Sequence, residues 1–363
     1  MRKNTFYRER LSDIKSIFLS RKKQFKLWFN RHIASKKVHS VKLVAIAKNE
    51  SMYLPEWIFH HLYFGFSEIE IYYNGCDDNT HELSRLMKDY PVKFINSDNI
   101  FTSGIPAPQV HIYRSCFEVQ TTADAIMFLD IDEFWVPVGL HKTISEVCKD
   151  VGDFDSLSFQ WFNKLEKDSL FTSALQQEIK VESARQIKTL YKAYLRPQQM
   201  NPHNTLDRGL LQKFEDAKTL KCLNTQNSQV DSSSIPLNGY ILHRKNRSQY
   251  EYIAMLLRGR PLANQDATVF ELKNNRTGFY KVSNPITFNY NTTSYADYRK
   301  FMDKHLQHEK FTDYFKTAKE HVDSRYSQVV KIVEENYLTN KQGFERLLAG
   351  VDLSEIETIR NRQ

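Results

Sequence analysis

The sequence predicts an α/β protein: a mixed, mainly parallel sheet flanked by helices over residues 41–290, with a basic helix over 1–40 and a helical region over 291–363. Three observations carry this. From residue 41 to 134, compact apolar runs alternate with amphipathic stretches through short polar connections, the pattern of strands joined by right-handed crossover helices. The runs VKLVAIA and AIMFLDIDEF are apolar at successive positions, as in strands covered on both faces. From about residue 293 apolar residues recur at helical spacing between charged ones. With 41% hydrophobic and 26% charged residues, and only 11 Gly and 10 Pro, the chain is neither disordered nor a low-complexity polymer.

Residues 1–40 hold 12 Lys/Arg against Glu9 and Asp13, which leaves 39 bases and 41 acids for the rest, so the formal charge of +8 belongs to this segment. Leu11, Ile14, Phe18, Phe25 and Phe29 fall on one helical face, flanked by Arg21, Lys22, Lys23, Lys26 and Arg31. Such a helix suits an anionic membrane surface. The other readings are a helix packed on the body with solvated bases outside, and, least favoured, a contact with nucleic acid. No apolar stretch reaches 18 residues, so no spanning helix is expected, and the N-terminus lacks the apolar core of a signal peptide. Cys76, Cys116, Cys148 and Cys222 are scattered, without zinc spacing or a disulfide framework. A reducing cytoplasm is the expected compartment, at the inner face of the membrane.

The body begins with strand VKLVAIA (41–47) and the loop KNES, where Asn49 or Ser51 is a possible helix N-cap. YLPEWIFHHLYFGF (53–66) is helical, with Pro55 tolerated in the first turn; His60 and His61 are adjacent on it and are expected to be one packed and one exposed. EIEIYYN (68–74) is a second strand, NGCDDNT a turn, HELSRLMKDY a helix, PVKFINSD a third strand and APQVHIYRSCFEVQTT a helix. AIMFLDIDEF is the fourth strand. FDSLSFQWFNK and QIKTLYKAYL (186–195) read as strands, 222–236 as a polar loop, and NGYILHRKNRSQYEYIAMLLRGR as a strand leading into a helix.

The fourth strand stops on Asp130, Asp132 and Glu133. Residues two apart on a strand share a face, and two carboxylates that close repel unless a cation or proton lies between them. A hard divalent cation such as Mg²⁺ or Mn²⁺ prefers those oxygens. The plain alternative is a strand end whose acids sit in solvent as turn residues. Ligands of parallel α/β sheets bind at the carboxyl ends of the strands, where KNES, NGCDDNT and DIDEF all fall.

Taken together, AIAKNESMYLPEWIFHHLYFGFSEIEIYYNGCDDNT, ADAIMFLDIDEFWVP and ILHRKNRSQYEYIAMLLRG resemble bacterial family-2 glycosyltransferases of the family-92-like branch, over roughly residues 41–260. The resemblance implies a GT-A (Rossmann-like) fold, a nucleotide-sugar donor with a UDP-sugar first in line, a surface-glycan or lipid-linked saccharide acceptor, and Mn²⁺ or Mg²⁺. It implies Asp132 as a direct metal ligand, Asp130 at the ribose or donor sugar or sharing the metal, and His243 as a metal nitrogen or a diphosphate contact. Asn49 and Glu50 match the opening loop near the nucleoside. Asn74 and Asp78 match the second turn; Tyr73 stands where an Asp is common, and Asp77 is the substitute. Gln109 and Tyr113 fit the helix before the fourth strand. In the third motif Arg247, Ser248, Glu251-Tyr252 and Arg258-Gly259 match, whereas Arg244 replaces a Tyr and Met255 a Lys; Arg244, Lys245, Arg247 and Arg258 could clamp phosphate oxygens.

Inversion, which the resemblance favours, needs a base at the acceptor hydroxyl. Candidates are His203, Asp207, Glu133 and Asp155, with His203 following a segment, Ile187-Lys188 to Arg196-Pro197, similar to one in the family. Two other functions remain open. A nucleotidyltransferase would use the same carboxylates but normally needs a basic, Gly-rich loop after the first strand, which KNES is not. A non-catalytic carbohydrate- or membrane-binding protein would have no need of an intact DxD with His243 and its bases.

Overall fold

The computed structural model describes residues 37–119, 121–165, 169–231, 235–258, 272, 276, 278–279 and 284–352. The basic helix expected within 1–40 lies almost wholly outside them. In chain order the elements are β1 (Val41–Ala47), α1 (Leu54–Tyr63), β2 (Glu68–Tyr73), α2 (Leu83–Leu86), β3 (Val92–Asn96), α3 (Asp98–Thr102), α4 (Pro108–Ser115), β4 (Ala125–Phe128) and β5 (Glu133–Pro137). There follow α5 (Ile144–Val151), β6 (Ser156–Lys164), β7 (Glu178–Lys192), β8 (Gln212–Phe214), β9 (Gly239–His243), α6 (Gln249–Leu256), β10 (Ile286–Asn289), α7 (Thr292–Leu306), α8 (Thr312–Asn336) and α9 (Lys341–Leu347).

One sheet runs in the order β3-β2-β1-β4-β7-β6-β9-β5, with β10 added to β7 and β8 to β6. β3, β2, β1 and β4 are parallel, a Rossmann-like half-sheet. β7 runs antiparallel to both β4 and β6, so β6 points the same way as β4, and β9, parallel to β6, does too. The carboxyl ends of β1, β2, β4 and β9 therefore share one edge. The sheet is mixed and mainly parallel, as the sequence predicts. The core below it takes in Leu43, Met127 and Phe159 from strands, Trp57 and Ile58 from α1, and Tyr298, Met302, Tyr314 and Ala318 from α7 and α8. A second cluster joins α6, α8 and α9 through Tyr252, Leu256, Val329, Val333, Phe344 and Leu347.

Several elements differ from expectation. AIMFLDIDEF is two strands, not one: β4 ends at Phe128 and β5 begins at Glu133 on the far side of the sheet, antiparallel to β9. Both strands are buried, and the turn between them alternates the buried Leu129 and Ile131 with Asp130 and Asp132, so it reads as a continuation of the strand. β7 begins at Glu178, well before residue 186, and β8, β10 and α3 carry no clear sequence signal. HELSRLMKDY forms one 3₁₀ turn and one short helix instead of a full helix. Neither Asn49 nor Ser51 caps α1; Tyr53 occupies that position, and Asn49 adopts a left-handed φ of 55°.

His60 and His61 are both fully buried, not one in and one out. β5 ends the sheet, so one row of its backbone groups lacks a strand partner, and α1 covers that row. His60 Nε2 donates to the carbonyl of Trp135 (2.8 Å), and the Trp135 N–H donates to His61 Nε2 (3.2 Å). The Nδ1 of His61 is thereby the protonated nitrogen, donating to the Trp57 carbonyl at 2.7 Å. Adjacent helix residues can do this because the two polar groups of one strand residue lie side by side.

Candidate active site

Where the four strands end, a cleft of about 720 Å³ opens, a size typical of small-molecule sites. Its walls include Ile46, Lys48, Glu50, Asn74, Phe101 and Gln109 on the β1–β2 side, and Trp161, Asn163, Gln186, His243 and Lys245 on the β6–β9 side. The segment Asp130–Glu133 lies between them, with Arg258 and Arg276 also lining the space.

The turn that carries the carboxylates is built by its own groups. The Glu133 N–H donates to the Asp130 carbonyl (3.0 Å), and the Asp130 N–H donates to Glu133 Oε2 (2.9 Å). The Trp57 indole N–H, from α1, reaches the carbonyls of both residues at 3.1 and 2.8 Å. Because this is a turn, Asp130 and Asp132 do not share a strand face as expected. Asp130 Oδ2 meets Lys188 Nζ at 2.9 Å and Oδ1 accepts from Gln109 Nε2 at 3.3 Å. Asp132 faces the other way, toward His243 and Arg276.

The Asp132–His243 pair has the chemistry of a cation site. His243 Nδ1 is 2.9 Å from Asn163 Oδ1, an acceptor, so that nitrogen carries the proton. The remaining lone pair, on Nε2, faces Asp132 Oδ2 at 3.8 Å. Two acceptors facing each other call for a cation between them, either a proton on Nε2 or a metal ion. A partner on the far imidazole nitrogen is the usual support of a metal-binding histidine. Burial alone would raise the Asp132 carboxyl, but His243 and the guanidiniums of Arg247 and Arg276 outweigh it and hold the group below the usual carboxylate range. Among the described residues no three His, Cys, Asp or Glu side chains form a complete metal cage. One carboxylate and one imidazole leave positions for phosphate oxygens and water, the way Mg²⁺ and Mn²⁺ are commonly held on nucleotides.

The other predicted residues divide into wall and frame. Glu50 lines the cleft and is ion-paired to Arg258 and, at 3.3 Å, to Arg247. Asn74 lines it as well; its side chain is fully buried, Nδ2 donates to the Ala47 carbonyl, and Oδ1 has no hydrogen-bond partner among the described residues. Asn49, Asp77, Asp78 and Arg247 are not on the wall. The Asn49 side chain braces the Asp77 N–H and the Arg258 carbonyl. Asp78 caps the following 3₁₀ turn and accepts the Ser51 N–H, holding the β1 and β2 loops together. Arg247 stacks on Tyr53, 3.4 Å from the ring centre.

Of the predicted bases, His203 and Asp207 do not reach the wall. His203 stands beside Trp161, ring centres 5.3 Å apart, with Nδ1 on the Ile187 carbonyl, and burial with the Lys188 charge pulls it down to about 4. Asp207 accepts the Gln198 N–H in its own loop. Asp155 is buried and accepts from Tyr194 and from the Leu211 N–H. Glu133 does line the cleft, but its Oε2 is taken by the Asp130 N–H and by Lys188 (3.0 Å). Residues that sequence reasoning passed over are Lys48, Phe101, Trp161, Asn163, Gln186, Lys188 and Arg276. Trp161 and Asn163 offered one signal, since they are two apart on a strand and so share a face.

No family model matches the chain, and no curated protein matches it. Several solved structures are similar, among them the following three. Galactosyltransferase LgtC, in complex with donor and acceptor sugar analogs, is 14% identical over 32% of this chain and 46% of its own, TM-score 0.25. HddC from Yersinia pseudotuberculosis is 9% identical over 48% of this chain and 88% of its own, TM-score 0.29. S. aureus TarS 1-349 is 12% identical over 89% of this chain and 92% of its own, TM-score 0.32. The chain thus spans about half the length of the first. At such identities and TM-scores these likenesses assign neither an activity nor a residue role.

Proposed function

We propose that this chain is a metal-dependent glycosyltransferase that moves a sugar from a nucleoside-diphosphate sugar, a UDP-sugar first in line, to a saccharide or lipid-linked acceptor. The observation that carries the reading is the ionised, buried Asp132 facing the free nitrogen of His243 inside a nucleotide-sized cleft. A divalent cation there, Mn²⁺ suiting the mixed oxygen and nitrogen pair better than Mg²⁺, would be held by Asp132 and His243 and would supply Lewis-acid stabilisation of the departing diphosphate. The chain's own residues do the rest. Asn163 fixes the His243 ring, the turn around Trp57 fixes Asp132, and Lys48, Lys245, Arg258 and Arg276 give the cleft positive charge for phosphate oxygens. The unpartnered Asn74 Oδ1 is an acceptor ready for an N–H or O–H of the nucleoside.

The test is donor turnover with water as acceptor: EDTA-treated protein given UDP-hexoses should release free sugar and UDP only after Mn²⁺ or Mg²⁺ is restored. Turnover indifferent to metal would remove Asp132 from its role. Residues 1–40, with their excess of base, are proposed to hold the enzyme on the anionic inner face of the cytoplasmic membrane. No helix among the described residues is long and apolar enough to cross a bilayer. Flotation with phosphatidylglycerol liposomes should carry the full chain and lose it on deletion of residues 1–38; unchanged flotation would end that proposal.

A further inference from the structure

Lys188 is a fully buried lysine on β7, between the fully buried Ile187 and the nearly buried Thr189. Its ammonium lies 2.9 Å from Asp130 Oδ2 and 3.0 Å from Glu133 Oε2. A buried ammonium is costly unless paired, and here it is paired to two of the three acids of the cleft turn. The pairing sorts those acids. Asp130 is drawn toward β7, where Gln109 also holds it, while Asp132 is left to His243.

We propose that Lys188 is a positioning residue for the donor site: an internal cation that keeps Asp130 turned away from Asp132, so that a metal meets one turn carboxylate and the nucleotide meets the other. Asp130 is suited to that part because its side chain is 39% exposed on the cleft while Lys188 is sealed beneath it. Lys188 touches no ligand; it acts through Asp130. A cation built into the chain also relieves the repulsion of three acids within four residues before any metal arrives.

The inference rests on the nucleotide reading above, and the experiment separates the two. Calorimetric titration of UDP in the presence of Mn²⁺ is run on wild type, Lys188→Met, and Lys188→Met/Glu133→Gln. The double variant removes one cation with one acid, so it restores the charge balance of the buried group and guards against unfolding of the single variant. Both variants are expected to bind UDP at least about tenfold more weakly, and the folded double variant decides the matter. Free Mn²⁺ titrated without nucleotide should bind the double variant no more weakly than wild type, a split that general loosening of the site would not give. UDP bound as tightly by the folded double variant as by wild type overturns the role of Lys188. UDP bound by none of the proteins, wild type included, overturns the nucleotide reading instead.

Discussion

Asp132→Asn is expected to lower Mn²⁺-dependent release of sugar from a UDP-hexose at least about 100-fold, about 2.7 kcal/mol or more of transition-state stabilisation. The substitution keeps the shape of the side chain and removes the charge. The turn should survive it, because its bonds are made by the backbone of Asp132, whose carbonyl accepts the Arg244 N–H at 2.7 Å, and by Asp130, Glu133 and Trp57. A matching loss of Mn²⁺ affinity, read from the EPR signal of the free ion, would tie the defect to metal binding. Asp130→Asn should leave Mn²⁺ affinity nearly unchanged, since Asp130 is held by Lys188 and Gln109. Equal loss of Mn²⁺ in the two variants would mean that both carboxylates hold the metal.

Acid is expected to destabilise the fold through the two histidines that cover β5. Burial, opposed by the bond to Trp135, pulls His60 down to about 3; burial and the neighbouring His60 hold His61 well below the usual imidazole range. The unfolded chain takes up protons on these residues below pH ~6.5, whereas the folded chain does not until far lower, so the unfolded state gains as pH falls. The stability they allow is fully present above about pH 6.5 and declines below it, by about 2 kcal/mol at pH 5 from His60 alone. Protonated His61 could no longer accept the Trp135 N–H, which breaks the cover of the edge strand. Urea midpoints at pH 7.5 and 5.0 measure this. His60→Gln/His61→Gln should start less stable and show a flatter dependence over that range; a parallel decline in wild type and variant would assign the acid sensitivity to other groups.

The parallel half of the sheet was legible because its two central strands, β1 and β4, are covered on both faces and its loops are short. The same two-sided burial hid the turn at 129–132: Phe128, Leu129, Ile131 and Phe134 are all buried, and apolarity alone does not show where a chain reverses. The histidine pair was misread because helical spacing turns neighbours apart, whereas a strand edge can meet both. Within the site, Asp130, Asp132, His243, Glu50, Asn74 and Arg258 were recognisable from motifs and do line the cleft. Lys188 was not, because it stood only at the start of the segment leading to His203 and its acids come from a turn 58 residues earlier. The division between Asp130 and Asp132 was out of reach for the same reason, since it depends on which neighbour each carboxylate meets across the fold.

The most direct test of the central claim is a calorimetric titration of UDP, GDP and CMP into the wild-type full chain, with and without Mn²⁺. A nucleoside diphosphate, UDP before GDP, is expected to bind with an affinity that collapses when the metal is withheld. Failure of every nucleotide to bind, or binding of UDP that is equally tight after EDTA treatment, would contradict it.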